Sequence, residues 1–338
     1  MRSQPGSTPT RNPATRPDAP AAIRRARDPV CNPVWATAWL AGCLMVALAL
    51  AANPVRADTL RVGGAGASTK LMELLAAAYQ KKFPQDQVVI HTGLGSTSSI
   101  KALKAGAVDL ALPARAPVAH EMAGTIAVEY ARSPFVAAVA ASHPVSAISS
   151  TGLARLYEQA DTRWPDGRRV RLILRPRGNS DDLLFRRFSP DMARALDAAL
   201  TRTGAVTSPT EADSNELITK VPGAIGSATL TFVQTGGYSL KGLTIDGKVP
   251  SVAAIRDGSY PHYKRFFMLA RSAVPPVAAR FMEFVTSPEG AQILAAHGCW
   301  VERFPAFTAS EAARELVPRD AQVPAGATPG VSLGIPKK

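Results

Sequence analysis

The sequence predicts an α/β fold with a parallel sheet. Apolar strand-like segments alternate with amphipathic helical segments in the first half of the chain. At three places a predicted strand runs into a short loop of small polar residues and then directly into a helix. Because the carboxyl ends of parallel strands lie at the same edge of a sheet, we expect the three loops to share a ligand-binding edge.

Residues 1–57 predict an export signal rather than part of the fold. The three parts of a signal peptide follow in order: a long Pro- and Arg-rich start (1–30), an apolar run (34–52) and a cleavage pattern at Val55-Arg56-Ala57. Two alternatives stay open: acylation at Cys43, although the apolar run continues past it, and retention of the run as an anchor. We therefore expect a periplasmic protein that starts near Asp58.

The composition does not predict a nucleic-acid partner. The net charge is +13, but seven Arg and two Asp in residues 1–57 supply +5 of it, which leaves +8 for the mature chain. The basic residues of the mature chain are scattered and only 6% of all residues are aromatic. Cleavage would leave Cys299 as the one cysteine, which excludes an intramolecular disulfide. No spacing of His, Asp or Glu predicts a metal site, and no cofactor is expected.

The first loop follows a predicted strand at Leu60–Gly64 and precedes a helix that carries apolar residues at helical spacing. Ser68 or Thr69 is the expected cap of this helix. The first turn of a helix has backbone N–H groups without intrahelical partners and a partial positive charge, which favours a bound oxyanion. A dinucleotide-binding motif would need glycine at position 69, so a nucleotide is not expected.

The next segments repeat this order. A strand at Gln87–His91, a loop at Gly93–Ser99, a short helix at Ile100–Ala105 and a third strand at Val108–Leu112 are predicted in turn. Together with the first strand they predict a β-α-β-α-β unit with right-handed crossovers.

The third loop lies later in the chain. A buried strand is predicted at Pro134–Ala141, and a further strand at Val170–Leu174 runs into the loop at Arg175–Asp182. Asn179 or Ser180 is a good helix cap, and an acidic residue in the first turn commonly stabilises a helix by interacting with the positive end of its dipole. That structural role explains Asp181, but it gives no reason for Arg175 at the end of the strand.

These loops carry a family resemblance that covers most of the mature chain. The sequence resembles the periplasmic phosphate-binding component of ABC phosphate importers, a type II solute-binding protein. The matching segments are Gly64–Ser68, Gly93–Thr97 with Lys101, Arg175 with Gly178-Asn179-Ser180, Gly223–Gly226, Asp257–Pro261 and Phe281–Gly290.

The resemblance implies a two-lobed α/β fold with mixed sheets, helices on both faces and two hinge strands. Val136–Ala141 and Arg265–Leu269 are the expected hinge crossings. The implied organisation is lobe 1 at 58–134 plus 264–308, lobe 2 at 135–263, and a tail at 309–338 that starts with a possible helical turn and is otherwise expected to be disordered.

The resemblance also implies a set of ligand-binding residues. They are Ala67, Ser68, Thr69, Ser96, Thr97, Arg115, Arg175, Gly178, Asn179, Ser180 and Asp181.

Three departures from the family pattern affect the expected ligand. Ala114 stands where the family has an aspartate that accepts the proton of hydrogenphosphate, Arg177 stands at an acidic position, and Asp181 replaces a threonine. If Arg115 and Arg177 both turn inward, discrimination against sulfate should be weak. If Asp181 has taken over the acceptor role, discrimination should be restored.

We expect a periplasmic, monomeric binding protein that delivers phosphate or a related oxyanion to an ABC permease of the inner membrane. One alternative keeps the fold but has another solute, or a sensor or scaffold role with a degraded pocket. The other alternative is a hydrolase. No Gly-x-Ser-x-Gly motif is present, and the five histidines lie outside the three loops, which argues against an enzyme.

Overall fold

The computed structural model describes residues 58–314. The predicted signal peptide, the acylation site at Cys43 and the predicted tail from residue 315 onward lie outside these residues. Within 58–314, none of the helices is long and apolar enough to cross a membrane.

The first part of the described chain begins with the predicted β-α-β-α-β unit. Its elements are β1 (Thr59–Gly64), α1 (Gly66–Lys82), β2 (Gln87–His91), α2 (Gly95–Lys104), β3 (Leu110–Leu112), α3 (Ala119–Met122) and β4 (Thr125–Ala140). Strand β1 pairs in parallel with both β2 and β3, which confirms the parallel sheet expected from the sequence. Helix α1 starts earlier than predicted: its cap is Ala65, without a side-chain hydrogen bond, and the Thr69 hydroxyl donates to the Gly66 carbonyl at 3.0 Å.

The second part holds the third predicted loop. Its elements are β5 (Ala147–Ile148), α4 (Ser150–Glu158), β6 (Arg171–Leu174), α5 (Ser180–Phe185), α6 (Pro190–Leu200), β7 (Val206–Thr207), α7 (Glu211–Lys220), β8 (Ala224–Thr229), α8 (Leu230–Thr235), β9 (Leu240–Gly242), β10 (Thr244–Ile245) and α9 (Val252–Arg256). The third loop connects β6 to α5, and the side chain of Asn179 caps α5 by accepting from the backbone N–H groups of Asp181 and Asp182.

The chain then returns to the first part. The remaining elements are β11 (Tyr263–Arg271), α10 (Pro276–Thr286), α11 (Pro288–Ala296) and α12 (Ala309–Arg314). Helix α12 occupies the first six residues of the segment predicted as a tail, and Ala312 is fully buried, so these residues belong to the folded structure.

One long strand joins the two parts. The main sheet has the order β2-β1-β3-β11-β4-β8-β6-β7, with β9 also paired to β4. The first half of β4 pairs with β11, and its second half pairs with β8 and β9, in each case antiparallel. Strand β4 therefore starts well before the strand predicted at Pro134 and carries the crossing between the parts.

The apolar residues form two large cores, one on each half of β4. The first lies under α1 and includes Leu71, Phe266 and Phe281. The second lies under α4 and α6 and includes Tyr157 and Leu196. Burial of these side chains, at about 25 cal/mol per Å² of apolar surface, holds each half of the sheet against its helices.

Candidate functional site

The first two predicted loops lie side by side at the end of β3. The backbone N–H of Ala65 donates to the carbonyl of Leu112 at 3.1 Å, which fixes the start of α1 beside β3. The Ser96 hydroxyl accepts from the backbone N–H of Ala114 at 3.0 Å, which fixes the start of α2 beside the residue after β3. Both helix starts therefore border the same edge of the sheet, as the strand order predicts.

The start of α1 also faces the second part of the chain. A Cβ placed on Gly66 would lie 3.6 Å from Phe232 Cζ and 3.9 Å from Glu211 Cβ. These are ordinary contact distances, so helices α7 and α8 pack closely on the first turn of α1.

The first loop contributes buried groups rather than exposed ones. Ala67 and Ser68 have no exposed surface, and Thr69 is 2% exposed. The hydroxyls of Ser68 and Tyr130 are both buried and have no other partner among the described residues. They interact with each other: burial raises the pKa of Tyr130, and a hydrogen bond with Ser68 acts to lower it. Because a hydroxyl has one donor and two acceptor positions, Ser68 can still bind a ligand or a water.

Arg115 and Thr97 form a separate ion-pair site. The Arg115 guanidinium donates to both oxygens of Glu121 at 2.7 Å, and its Nη2 also donates to Thr97 Oγ1 at 3.1 Å. Burial acts to raise the pKa of Glu121, but the hydrogen bonds from Arg115 and from the backbone N–H of Val118, together with the charge of Arg115, outweigh it and the pKa is lowered. Glu121 therefore neutralises Arg115, and this arginine does not turn toward the third loop as the sulfate expectation requires.

Arg177 does not turn inward either. Its Nη1 lies 2.7 Å from Asp197 Oδ1, and 59% of its side chain is exposed. The field of two inward arginines, on which the expectation of weak sulfate discrimination depends, is absent from the described site.

Arg175 is the buried cation of the third loop. It lies at the carboxyl end of β6 and is only 8% exposed. Its Nε donates to Asp181 Oδ2 at 3.1 Å, and its Nη1 donates to the carbonyl of Ser208 at 2.5 Å. The other loop residues build the turn: Gly178 has φ +79°, which favours glycine, and the Ser180 hydroxyl lies 3.4 Å from Asp181 Oδ1.

A second buried cation completes the site. Lys264 on β11 is 1% exposed, and its Nζ lies 2.7 Å from Asp181 Oδ1 and 2.9 Å from Glu211 Oε2. Glu211 Oε1 accepts from the backbone and the hydroxyl of Thr229. Arg175, Asp181, Lys264 and Glu211 thus form a buried network of two cations and two anions, which we call the charge network.

Pairing favours the charged forms of Asp181 and Lys264 although both are buried. Burial acts to raise the pKa of Asp181, but the charges of Lys264 and Arg175 outweigh it, so the pKa is lowered. Burial acts to lower the pKa of Lys264, but the charges of Asp181 and Glu211 outweigh it, so the pKa is raised.

The space beside Arg175 is small. A cavity of about 10 Å³ is lined in part by Arg175, Asp181, Asp182 and Ser227. This is about the volume that one water requires, so the site as folded has no room for a tetrahedral oxyanion.

Helix α7 and the segment before it bring further unpartnered polar groups to this region. They are the hydroxyls of Ser208, which follows β7, and of Ser214, and both polar atoms of the Asn215 amide. All three residues are at least 99% buried, and none of these atoms has a partner among the described residues. Groups of this kind are usually satisfied by ligand or water.

Sequence reasoning missed Lys264, Glu211 and Ser208. Lys264 was recognisable as a charge beside the apolar segment Phe266–Ala270, which is unusual for a strand that pairs on both sides. Glu211 follows the cap residue Thr210 and reads as an ordinary first-turn acid, so only the folded structure shows its role.

Within residues 58–314 no group of three or more His, Cys, Asp and Glu side chains could hold a metal ion.

Comparison with known proteins identifies the family. Residues 50–289 match the PBP superfamily domain. The chain is similar to a protein from Clostridium perfringens described as a phosphate ABC transporter substrate-binding protein with bound phosphate (TM-score 0.64, 19% identity, 72% of this chain and 100% of that one). It is also similar to an ABC-type phosphate transport receptor from Vibrio cholerae (TM-score 0.54, 19% identity, 72% of this chain and 100% of that one).

No curated protein sequence matches the chain. At 19% identity the two structural likenesses establish the fold, which is the two-lobed type II binding-protein fold expected from the sequence. The match to the superfamily domain spans most of the chain. This chain therefore belongs to the PBP superfamily, whose fold is that of solute-binding proteins.

Proposed function

We propose that this protein is a periplasmic solute-binding protein that captures phosphate or a related small oxyanion and delivers it to an ABC permease of the inner membrane. The protein acts as a monomer, with lobe 1 at 58–134 plus 264–308 and lobe 2 at 135–263. It is not an enzyme, and residues 1–57 act as its signal peptide. The phosphate ligand of the similar Clostridium perfringens structure supports the choice of solute.

The burial of Arg175 carries the proposal. Its side chain is 8% exposed at the carboxyl end of β6, and its Nη2 donates to no described residue. A guanidinium can hold an oxyanion through parallel N–H bonds, and a bond to a charged group contributes about 1.5–3 kcal/mol. An arginine that served only as a surface charge would be solvated, as Arg177 is.

The first two loops supply the second side of the proposed site. The Ser68 hydroxyl can accept from Tyr130 and still donate to the ligand, and the first turns of α1 and α2 add backbone N–H groups and partial positive charge. The hydroxyls of Thr69 and Ser96 hold these turns in place, and Ala67 anchors the first of them in the core. Gly178, Asn179 and Ser180 form the turn of the third loop. Arg115 and Thr97 stay outside the proposed contacts with the ligand, since both are held in the ion-pair site with Glu121 at the second loop.

The test is calorimetry of phosphate and sulfate binding to the purified full-length protein. Arg175→Met should weaken phosphate binding by roughly 10- to 150-fold, the equivalent of one charge-assisted bond. Arg177→Met is the matched control, because this arginine belongs to the same loop but is exposed, and its affinity should change less than about threefold. Circular dichroism establishes that both variants fold. Equal affinity in the two variants, or no binding by the wild type, would contradict the proposal.

A further inference from the structure

The Asp181 carboxylate lies where Arg175 would hold a ligand. It accepts from Arg175 Nε at 3.1 Å and from Lys264 at 2.7 Å, and it is 2% exposed. A carboxylate held by a guanidinium and an ammonium presents two oxygens in the same way as one edge of an oxyanion. The protein thus supplies its own anion to the cations of the third loop.

The charge balance of the network excludes a second anion while Asp181 is in place. The charge network contains two cations and two anions and has no net charge. A hydrogenphosphate or sulfate dianion added beside it would be buried without compensating charge, which is strongly unfavourable in a poorly hydrated site. The cavity of about 10 Å³ beside Arg175 and Asp181 also leaves no room for both anions.

We propose that Asp181 is a specificity-determining residue that competes with the solute: its carboxylate holds Arg175 and Lys264 in the absence of an oxyanion and must move aside when one binds. This inference rests on the proposed function and adds to it the residue that limits the affinity. It differs from the acceptor role expected from the sequence, in which Asp181 would strengthen binding of a protonated oxyanion.

The two roles predict opposite effects of neutralising the side chain. If Asp181 competes, Asp181→Asn gives the charge network a net charge of +1 and frees its cations for the ligand. The affinity for phosphate and for sulfate should then rise at least tenfold, equivalent to about 1.4 kcal/mol. If Asp181 is an acceptor, the same change should lower the affinity for phosphate and leave that for sulfate unchanged or improved.

Asp86→Asn is the matched control. Asp86 is also 3% exposed and accepts from a guanidinium, that of Arg280, but it lies just before β2, at the opposite end of the strand from the loops. Asp181→Thr serves as a second test variant, because its shorter side chain also makes room for the ligand.

The experiment is calorimetry of the full-length wild type and the three variants with inorganic phosphate and with sulfate. Tighter binding of both anions by the two Asp181 variants, with the Asp86 variant within about threefold of the wild type, supports the inference. Unchanged or weaker phosphate binding by the Asp181 variants overturns it while the proposed function stands, and so does a gain of equal size in the Asp86 variant. If neither the wild type nor any variant binds either anion, both the inference and the proposed function are wrong.

Discussion

Lys264→Met tests whether the charge network stabilises the fold as a unit. The lysine is 1% exposed, and its ammonium is the one described cation that contacts Glu211 in an ion pair. Methionine is an unbranched side chain nearly as long as lysine, but it removes the ammonium and with it the cation–π contact with the ring of Phe135. After the change Asp181 keeps Arg175, whereas Glu211 keeps only the hydrogen bonds from Thr229.

The expected loss is large because one buried carboxylate is left without a counter-charge. Breaking a buried ion pair by removing one partner typically costs about 3–5 kcal/mol in free energy of unfolding. For a chain of this size, at roughly 2–4 °C per kcal/mol, the melting temperature should fall by about 10 °C. Lys220→Met is the control: that lysine is 70% exposed beside Glu216, and its loss should shift the melting temperature by about 2 °C or less.

The assay is thermal unfolding followed by circular dichroism, with the double variant Lys264→Met/Glu211→Gln included. Replacing Glu211 by glutamine removes the uncompensated charge, so the double variant should regain more than half of the lost stability. An equal melting temperature for Lys264→Met and the wild type would refute the reasoning. A double variant no more stable than the single one would show that the loss comes from packing rather than from charge.

Three further outcomes are expected. Burial acts to raise the pKa of Asp181, but the charges of Lys264 and Arg175 hold it below its usual range, so the stability that Asp181 contributes is present above about pH 4 and is lost below it. The melting temperature should therefore fall more steeply between pH 5 and pH 3 in the wild type than in Asp181→Asn. Parallel curves for the two proteins would contradict this. Asn215→Leu should leave the melting temperature unchanged or raise it, because the buried amide has no partner in the described chain; a loss above about 2 kcal/mol in denaturant unfolding would mean that the amide is satisfied by water. Burial raises the pKa of Cys299 to about 12, so iodoacetamide at pH 8 should not label the peptide that contains it until the protein unfolds, and rapid labelling of the native protein, followed by mass spectrometry, would contradict its buried position.

The fold was predictable because local signals agree with each other in the first part of the chain. The alternation of apolar segments and helices from Leu60 to Leu112 predicts β1 to β3 and their parallel pairing, and the structure confirms both. The extent of β4 was not predictable, since its first half has charged residues such as Glu129 and Arg132 among apolar ones. Glu129 pairs with Arg132 and, across the sheet, with Arg265, so long-range contacts rather than local preference keep this segment extended.

Residues of the candidate site were predictable only where the local sequence around them indicates their role. Arg175 at the end of an apolar strand indicates a buried or ligand-binding cation from sequence alone. Lys264 is separated from Asp181 by more than 80 residues, and no local pattern connects them. The pairing of Arg115 with Glu121 likewise depends on the bend between β3 and α3, which sequence patterns do not fix.

The position of β11 has a consequence for synthesis of the chain. In the sheet this strand lies between β3 and β4, and it pairs with both, yet it follows β4 by more than 120 residues in sequence. Until about residue 271 has been made, β3 and β4 each present an open strand edge where the missing neighbour belongs. Such edges are templates for pairing with other chains. The unfinished protein is therefore expected to aggregate more readily than the finished one, and to require protection until β11 closes the gap.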